Sequence, residues 1–258
     1  DPKVGRLLAK SMIQKYGPVN LISIDELQDD QYVVPVSGMG APTVSLEKLP
    51  SEIELTNPLQ ELERAFGKKA DVIIPIEVGG INSLYPVGAA AKLHLPILDA
   101  DAIGRAFPEA QMETFHLHGL EPEQVAVGDE KGNVALFKPI NAYWSEYMSR
   151  ALTVQMGGSA SVSDYFLAGK DVKGSVVNGT LLLAREIGEI LMHQEDYDDV
   201  FKALLDRLNG FELYDGKVTA VTRETKQGFN FGTAQIEGLN NYRGKTFSLE
   251  FQNETLVR

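Results

Sequence analysis

Two short apolar runs, Val72 to Ile76 and Leu95 to Leu98, constrain this chain more than any other feature. Each is short enough to be a buried strand, and each empties into a polar turn bearing glycine. Between them, Leu84 to Leu93 reads as a helix, so the stretch has the grammar of a βαβ unit. Such a unit belongs to a parallel sheet, and parallel sheets bind ligands outside the carboxyl ends of their strands. Glu77, Asn82, Asp99, Asp101, Arg105 and Glu109 are all delivered to that edge.

Composition narrows the classes of ligand and compartment. At 258 residues, 43% hydrophobic and 23% charged, the chain reads as an ordinary globular protein with ample core. No run approaches the about 18 consecutive apolar residues of a membrane span, so no membrane partner is expected. Asp1-Pro2-Lys3 leads into an amphipathic pattern and does not resemble a signal peptide. The absence of cysteine removes disulfides, thiolate metal sites and cysteine nucleophiles together, and fits a cytoplasmic protein. A formal charge of −12 leaves no basic face for releasing phosphate counterions, so no nucleic-acid partner is expected. Both ends read as cut from a longer chain, since the sequence opens in a helix and closes just after a strand-like run.

The remaining elements follow from periodicity and punctuation. Val4 to Tyr16 has helical spacing and stops at Gly17-Pro18. Val19 to Ile24 and Tyr32 to Ser37 read as strands, with Pro35 marking an edge or an irregularity in the second. That second strand runs into the loop Gly38-Met39-Gly40-Ala41-Pro42-Thr43. Asn57-Pro58 starts a helix, with Asn57 as its cap, and Gly67 ends it. Gln124 to Gly128 and Asn133 to Phe137 flank a hairpin turn, and Ile140 to Met156 forms a helix carrying Trp144. Ser159 to Leu167 reads as a short helix with Ser159 as cap. Helices over Thr180–Met192 and Tyr197–Leu208 precede an antiparallel meander from Phe211 to Phe251. The fold class expected is an α/β N-terminal domain with a mostly parallel sheet, residues 1–168. It is followed by an α+β C-terminal domain with antiparallel strands, residues 169–258.

Four groups of residues could carry chemistry. Gly79-Gly80 lets backbone approach a ligand or adopt positive φ, with Glu77 before it and Asn82 after it to orient a substrate. Asn82 equally fits a helix cap. Gly38 and Gly40 could line the same crevice. Asp99 and Asp101, one residue apart, suit a hard divalent cation or an acid–base pair, or else cap local turns. His116 and His118, read as alternate residues of a strand, could complete a metal site with them or simply face solvent. Arg105 fits a carboxylate or an enolate-like oxygen, or an ion pair with Glu109 or the aspartates. No Gly-Lys-Ser/Thr Walker ending, no GxGxxG and no Gly-x-Ser-x-Gly elbow occurs.

The central run, Pro75 to Ser83 and Leu95 to Met112, resembles the S-methyl thiohydantoin desulfurase-like family. The likeness extends to Gly40-Ala41-Pro42-Thr43, Gly157-Gly158, Gly179-Thr180, Gly216-Lys217-Val218, Gly228-Phe229, Gly238-Leu239 and Phe251-Gln252-Asn253-Glu254. It departs at Leu93-His94-Leu95, where other members often carry Leu-Gly. A glycine-rich run that members place ahead of Asp1-Pro2 is also absent. The resemblance implies hydrolysis at a cyclic amidine-like carbon of a hydantoin-type heterocycle. It also implies the alternative of a ring-binding subunit for a hydantoinase- or oxoprolinase-type partner, or a homo-oligomer. On this reading Asp99 or Asp101 serves water or a metal, Arg105 meets substrate charge, Glu109 stands among the catalytic residues, and Glu77 and Asn82 orient the ring.

Overall fold

The computed structural model describes residues 2–44, 47–48 and 50–256. Its organising layer is an eight-stranded sheet fed by the first two-thirds of the chain. The strands are β1 (Leu21–Ile22), β2 (Tyr32–Gly40), β3 (Val72–Pro75), β4 (Ile97–Leu98), β6 (Val125–Gly128), β7 (Val134–Phe137), β8 (Ser159–Ser163) and β9 (Leu167–Ala168). Their order is β1-β4-β3-β2-β8-β6-β7, with β9 beside the start of β2. Pairing is parallel from β1 through β4 and β3 to β2, and antiparallel beyond β2.

Why the parallel half is so apolar follows from its two covered faces. On one face Val34, Val36, Ile73 and Ile97 pack against α1 (Pro2–Tyr16), α2 (Asn57–Phe66) and α3 (Tyr85–Leu93). On the other, Val33, Val72, Ile74 and Leu98 join Phe115, Tyr165 and Val172. Successive residues of one strand therefore serve two cores, and no polar position survives between them. Leu59 and Leu62 of α2 are fully buried. Leu59→Ala is expected to cost about 2–5 kcal/mol through lost burial and a residual cavity, read as a lowered urea midpoint with unchanged slope.

Pro35 lies at the sheet's centre, and its position is the irregularity the sequence signals. Beyond β2, Tyr32 and Val33 pair with β9 while Ser37 to Gly40 pair with β8. Pro35 falls in the gap between those two partners, where its missing N–H leaves no ladder bond unmade. Gly40 is needed for the approach of β8, because it sits at φ 145 and a Cβ there would lie 2.3 Å from the Gly158 carbonyl.

Four local expectations are corrected. Residues 159–167 form no helix but β8 and the start of β9: β8 is gripped on both sides by β2 and β6, and Ser159 begins that strand instead of capping a helix. Gly157 and Gly158, at φ 93 and 84, turn the chain from α5 (Ala142–Gln155) into that strand. His116 and His118 are not on a strand either, since Thr114–Leu117 forms a single helical turn, α4, that buries Phe115. Asn57 is the first helical residue of α2 and Thr56 its cap, without a side-chain bond. Leu84, not Asn82, caps α3.

The second part begins as helices and ends as strands. Its elements are α6 (Gly169–Val172), β10 (Val177–Asn178), α7 (Thr180–Met192) and α8 (Val200–Leu208), then β11 (Gly216–Lys226), β12 (Phe229–Gly238), β13 (Thr246–Gln252) and β14 (Glu254–Leu256). The last four make an antiparallel sheet in sequence order; three of them answer to the predicted apolar runs, but residues 211–214 form no strand and β14 is added after the last run. A short strand, β5 (Ala100–Asp101), pairs with β10 and ties this part to the first. No residue of α8 is buried, and Met192, Phe201 and Phe211 are each about three-quarters exposed.

Candidate active site at the carboxyl ends of β2 and β3

A cavity of about 220 Å³ opens where β2 and β3 end. Gly38 and Gly40 supply its floor from β2, and Glu77, Gly79 and Gly80 come from the loop after β3. The segment Ala106 to Ala110 forms one wall, and Glu146 and Arg150 of α5 another. Glu113, Asp164, Asn253 and Glu254 complete the lining. The turn between β13 and β14 thus closes a pocket built mostly by the first part of the chain.

Asn82 holds the two loops together. Its side-chain oxygen accepts from Gly38 N at 2.7 Å, and its amide donates to Gly38 O at 3.3 Å and to Glu77 Oε1 at 2.7 Å. Both amide hydrogens are therefore committed. Glu77 Oε2 accepts from Phe107 N at 3.3 Å, which ties the third wall to the same carboxylate. Burial raises the Glu77 pKa, and the bonds from Asn82 and Phe107 oppose the shift. A side chain at Gly38 would press on the Tyr85 ring, 3.2 Å from the position of its Cβ. Gly79 and Gly80 form the bend and turn after β3 without positive φ, which leaves the close approach of backbone as the use for the pair. A Cβ at Gly79 would meet nothing nearer than Ala106 at 3.8 Å.

Acid groups dominate the electrostatics. Glu113 and Asp164 are both buried, and each lies close enough for its charge state to act on the other. Burial, then the neighbouring Asp164 charge, pushes Glu113 well above the usual carboxyl range. Burial pushes Asp164 up to about 6, with the neighbouring Glu113 opposing it. The two carboxyls titrate as a coupled pair, with Glu113 the one pushed further towards its protonated form. Glu254 is raised to about 7, by burial first and then by the charge of Glu77.

Arg150 lies in a half-sandwich. Its Nε donates to Glu146 Oε1 at 2.7 Å and its Nη2 to Pro108 O at 3.1 Å, while Phe229 stacks 4.0 Å from the guanidinium. Glu146 Oε2 in turn accepts from Ala110 N at 3.0 Å. At the rim, Asn253 donates to Gly40 O at 3.3 Å and Gln252 to Glu109 Oε1 at 3.1 Å. These bonds seat the β13–β14 turn on the cavity.

The pH dependence of stability follows from the raised groups. A carboxyl whose folded pKa exceeds its unfolded value keeps its proton longer in the native state. Raising the pH through that window therefore favours unfolding. For Glu254 the window runs from 4.5 to about 7, and for Asp164 from 3.8 to about 6. The melting temperature is expected to fall between pH 5 and pH 8, and Glu254→Gln to flatten that fall. Thermal melts of both proteins across this range check it.

The structure divides the residues singled out from sequence into two sets. Glu77, Gly79, Gly80, Asn82, Gly38, Gly40 and Glu109 line the cavity together. Asp99, Asp101, Arg105, His116 and His118 do not. Asp99 Oδ1 accepts from Leu181 N and Leu182 N at 2.9 and 3.1 Å, so it caps α7. Asp101 is wholly buried, and its Oδ1 accepts from Ile103 N and Gly104 N, closing a turn. Arg105 is exposed and stacks on Phe107 at 4.9 Å. His116 pairs with Glu121 and His118 with the Thr114 carbonyl. The four residues considered for a metal are not brought together. Among the described residues, no group of three His, Asp or Glu is arranged to hold one.

Sequence reasoning missed Glu113, Glu146, Arg150, Asp164 and Glu254. One signal was available: Glu146 and Arg150 are four apart on a helix face that also buries Ser145, Ser149 and Thr153. Glu113 and Asp164 are remote in the chain and meet only through the sheet.

Fold and cavity together define an α/β protein with a carboxyl-rich cleft, completed by a C-terminal β-hairpin. The chain belongs to the S-Me-THD-like family. Residues 1–139 match its N-terminal domain and residues 140–258 its C-terminal domain. Membership supports a hydantoin-related function in general. The fold is similar to that of a protein from Chromobacterium violaceum solved by X-ray crystallography. The TM-score is 0.68 and the identity 21%, over 96% of this chain and 72% of that one. No curated protein sequence matches the chain.

Proposed function

We propose that the cavity hydrolyses a small hydantoin-type heterocycle, cleaving the C–S bond of an S-methyl thiohydantoin. The observation that carries the reading is the Glu113–Asp164 pair: two buried carboxyls acting on each other on the wall of a small cavity. At neutral pH Asp164 is ionised and Glu113 is not, which separates a base from an acid. Asp164 takes a proton as water attacks the ring carbon bearing sulfur, and Glu113 protonates the ring nitrogen. The tetrahedral intermediate expels methanethiolate, which leaves as methanethiol after taking a proton, and the carbon becomes the carbonyl of a hydantoin. Water supplies the new oxygen, so atoms and charge balance without an oxidant or reductant. Glu77, fixed by Asn82, orients ring N–H groups, and Glu254 caps the cavity as a neutral or charged acid. The volume of about 220 Å³ lies below the range of drug-sized pockets and suits a five-membered ring.

The test is incubation of the protein with S-methyl thiohydantoin and with hydantoin, with and without added divalent metal, following thiol release and ring opening separately. Thiol release without ring opening is expected. Absence of product from either ring under every condition contradicts the proposal. A ring-binding subunit of a hydantoinase- or oxoprolinase-type assembly is the competing reading, favoured by the unburied face of α8. It predicts ring binding without turnover by the isolated chain, and activity only with such a partner added.

A further inference from the structure

We infer that the cavity takes its ring as a cation, a cyclic amidinium, isothiouronium or guanidinium, and rejects rings that carry a carboxylate. This rests on the reading of the cavity as a heterocycle site and sharpens it. The lining carries Glu77, Glu109, Glu113, Glu146, Asp164 and Glu254, against one cationic side chain, Arg150, among the described residues. Arg150 is committed to Glu146, the Pro108 carbonyl and the Phe229 ring. It offers an anionic ligand little.

Acceptors also outnumber donors. Glu77 and Glu109 have both oxygens bonded, by Asn82 and Phe107 and by Gln252 and Gln111. Glu146 is held by Arg150 and Ala110. Three lining carboxyls remain with a buried oxygen that receives no donor from the described residues: Glu113 Oε2, Asp164 Oδ1 and Glu254 Oε2. Glu113 and Asp164 are themselves almost wholly buried, where an unmatched acceptor is costly. The protons that Glu113 and Glu254 retain relieve this in the empty cavity. A ligand bringing N–H donors and positive charge relieves it better, because charge-assisted bonds to carboxylates are the stronger kind. Of the lining amides, Asn82 spends both hydrogens on Gly38 and Glu77, and Asn253 donates to Gly40.

The consequence for the reaction is direct. Transfer of the Glu113 proton to the bound ring amidine makes the sulfur-bearing carbon more electrophilic, and the acidic lining stabilises the cation so formed. The product hydantoin is neutral and loses this attraction, which aids its release.

The experiment compares two isosteric rings and one anionic ring by titration calorimetry at pH 7 on the 258-residue chain. 2-Aminoimidazoline is cationic, imidazolidin-2-one is its neutral counterpart, and hydantoin-5-acetate carries a carboxylate. The cation is expected to bind at least about tenfold more tightly than the neutral ring, and hydantoin-5-acetate more weakly than either. Asp164→Asn and Glu254→Gln are each expected to shrink the cation's advantage. Each variant is checked by circular dichroism, and either one retaining its fold suffices. Binding of the rings with no preference, or a preference for hydantoin-5-acetate, overturns this inference but leaves the heterocycle reading standing. Binding of none of the three overturns both.

Discussion

Glu113→Gln is expected to lower turnover of the cyclic substrate by about 10²–10⁴-fold, the usual contribution of a positioned acid. The substitution removes the transferable proton and little else. A glutamine amide can still donate to Asp164 as a protonated carboxyl can. KM is expected to change less than kcat, because the interaction lost is one made in the transition state. Asp164→Asn is expected to cost as much by removing the base. For the parent protein the rate should rise with pH through the Asp164 titration near 6, because only ionised Asp164 accepts the proton from water. An unaltered kcat in Glu113→Gln assigns the chemistry to another group.

Arg150→Ala is expected to destabilise the protein by about 3–5 kcal/mol, measured by urea denaturation at pH 7. Arg150 and Glu146 are both almost fully buried and lie one helical turn apart. Removing the guanidinium leaves the Glu146 charge buried, with only Ala110 N as a partner. It also strips the Phe229 face and the Pro108 carbonyl of their contacts, loosening the junction between α5 and β12. Adding Glu146→Gln to Arg150→Ala should restore part of the loss, since no unpaired charge then remains. A loss under about 1 kcal/mol in the single variant would place this pair with exposed ion pairs.

How much was legible differs between fold and site. The βαβ unit, the α2 and α3 helices and the C-terminal meander were readable because period, length and turn residues agreed locally. Gly67 closing α2 at φ 64 is a case where one residue type fixed a boundary. Where signals were weak, the tertiary environment decided. Ser159-Ala160-Ser161-Val162-Ser163 has little preference of its own, and two strand edges on either side recruited it.

For the site, only part of the expected edge gathers at one cavity: Glu77, Asn82 and Glu109 line it with Gly38 and Gly40 of β2, while Asp99, Asp101 and Arg105 do not. Asn82 looked like a cap, and only the closeness of Gly38 shows it to be a clamp between two strands. Asp99 and Asp101 drew attention through spacing, yet both serve backbone N–H groups. Glu113 and Asp164 had no motif to reveal them, since neither has its partner nearby in sequence. They come together only once the sheet is assembled and buries both.

The most direct test of hydrolytic C–S cleavage is a reaction in ¹⁸O-labelled water with S-methyl thiohydantoin, followed by mass spectrometry of the ring product and thiol titration. The account predicts hydantoin carrying one ¹⁸O atom at the carbon that bore sulfur, formed in step with methanethiol. Unlabelled hydantoin, or thiol release without hydantoin, would contradict it.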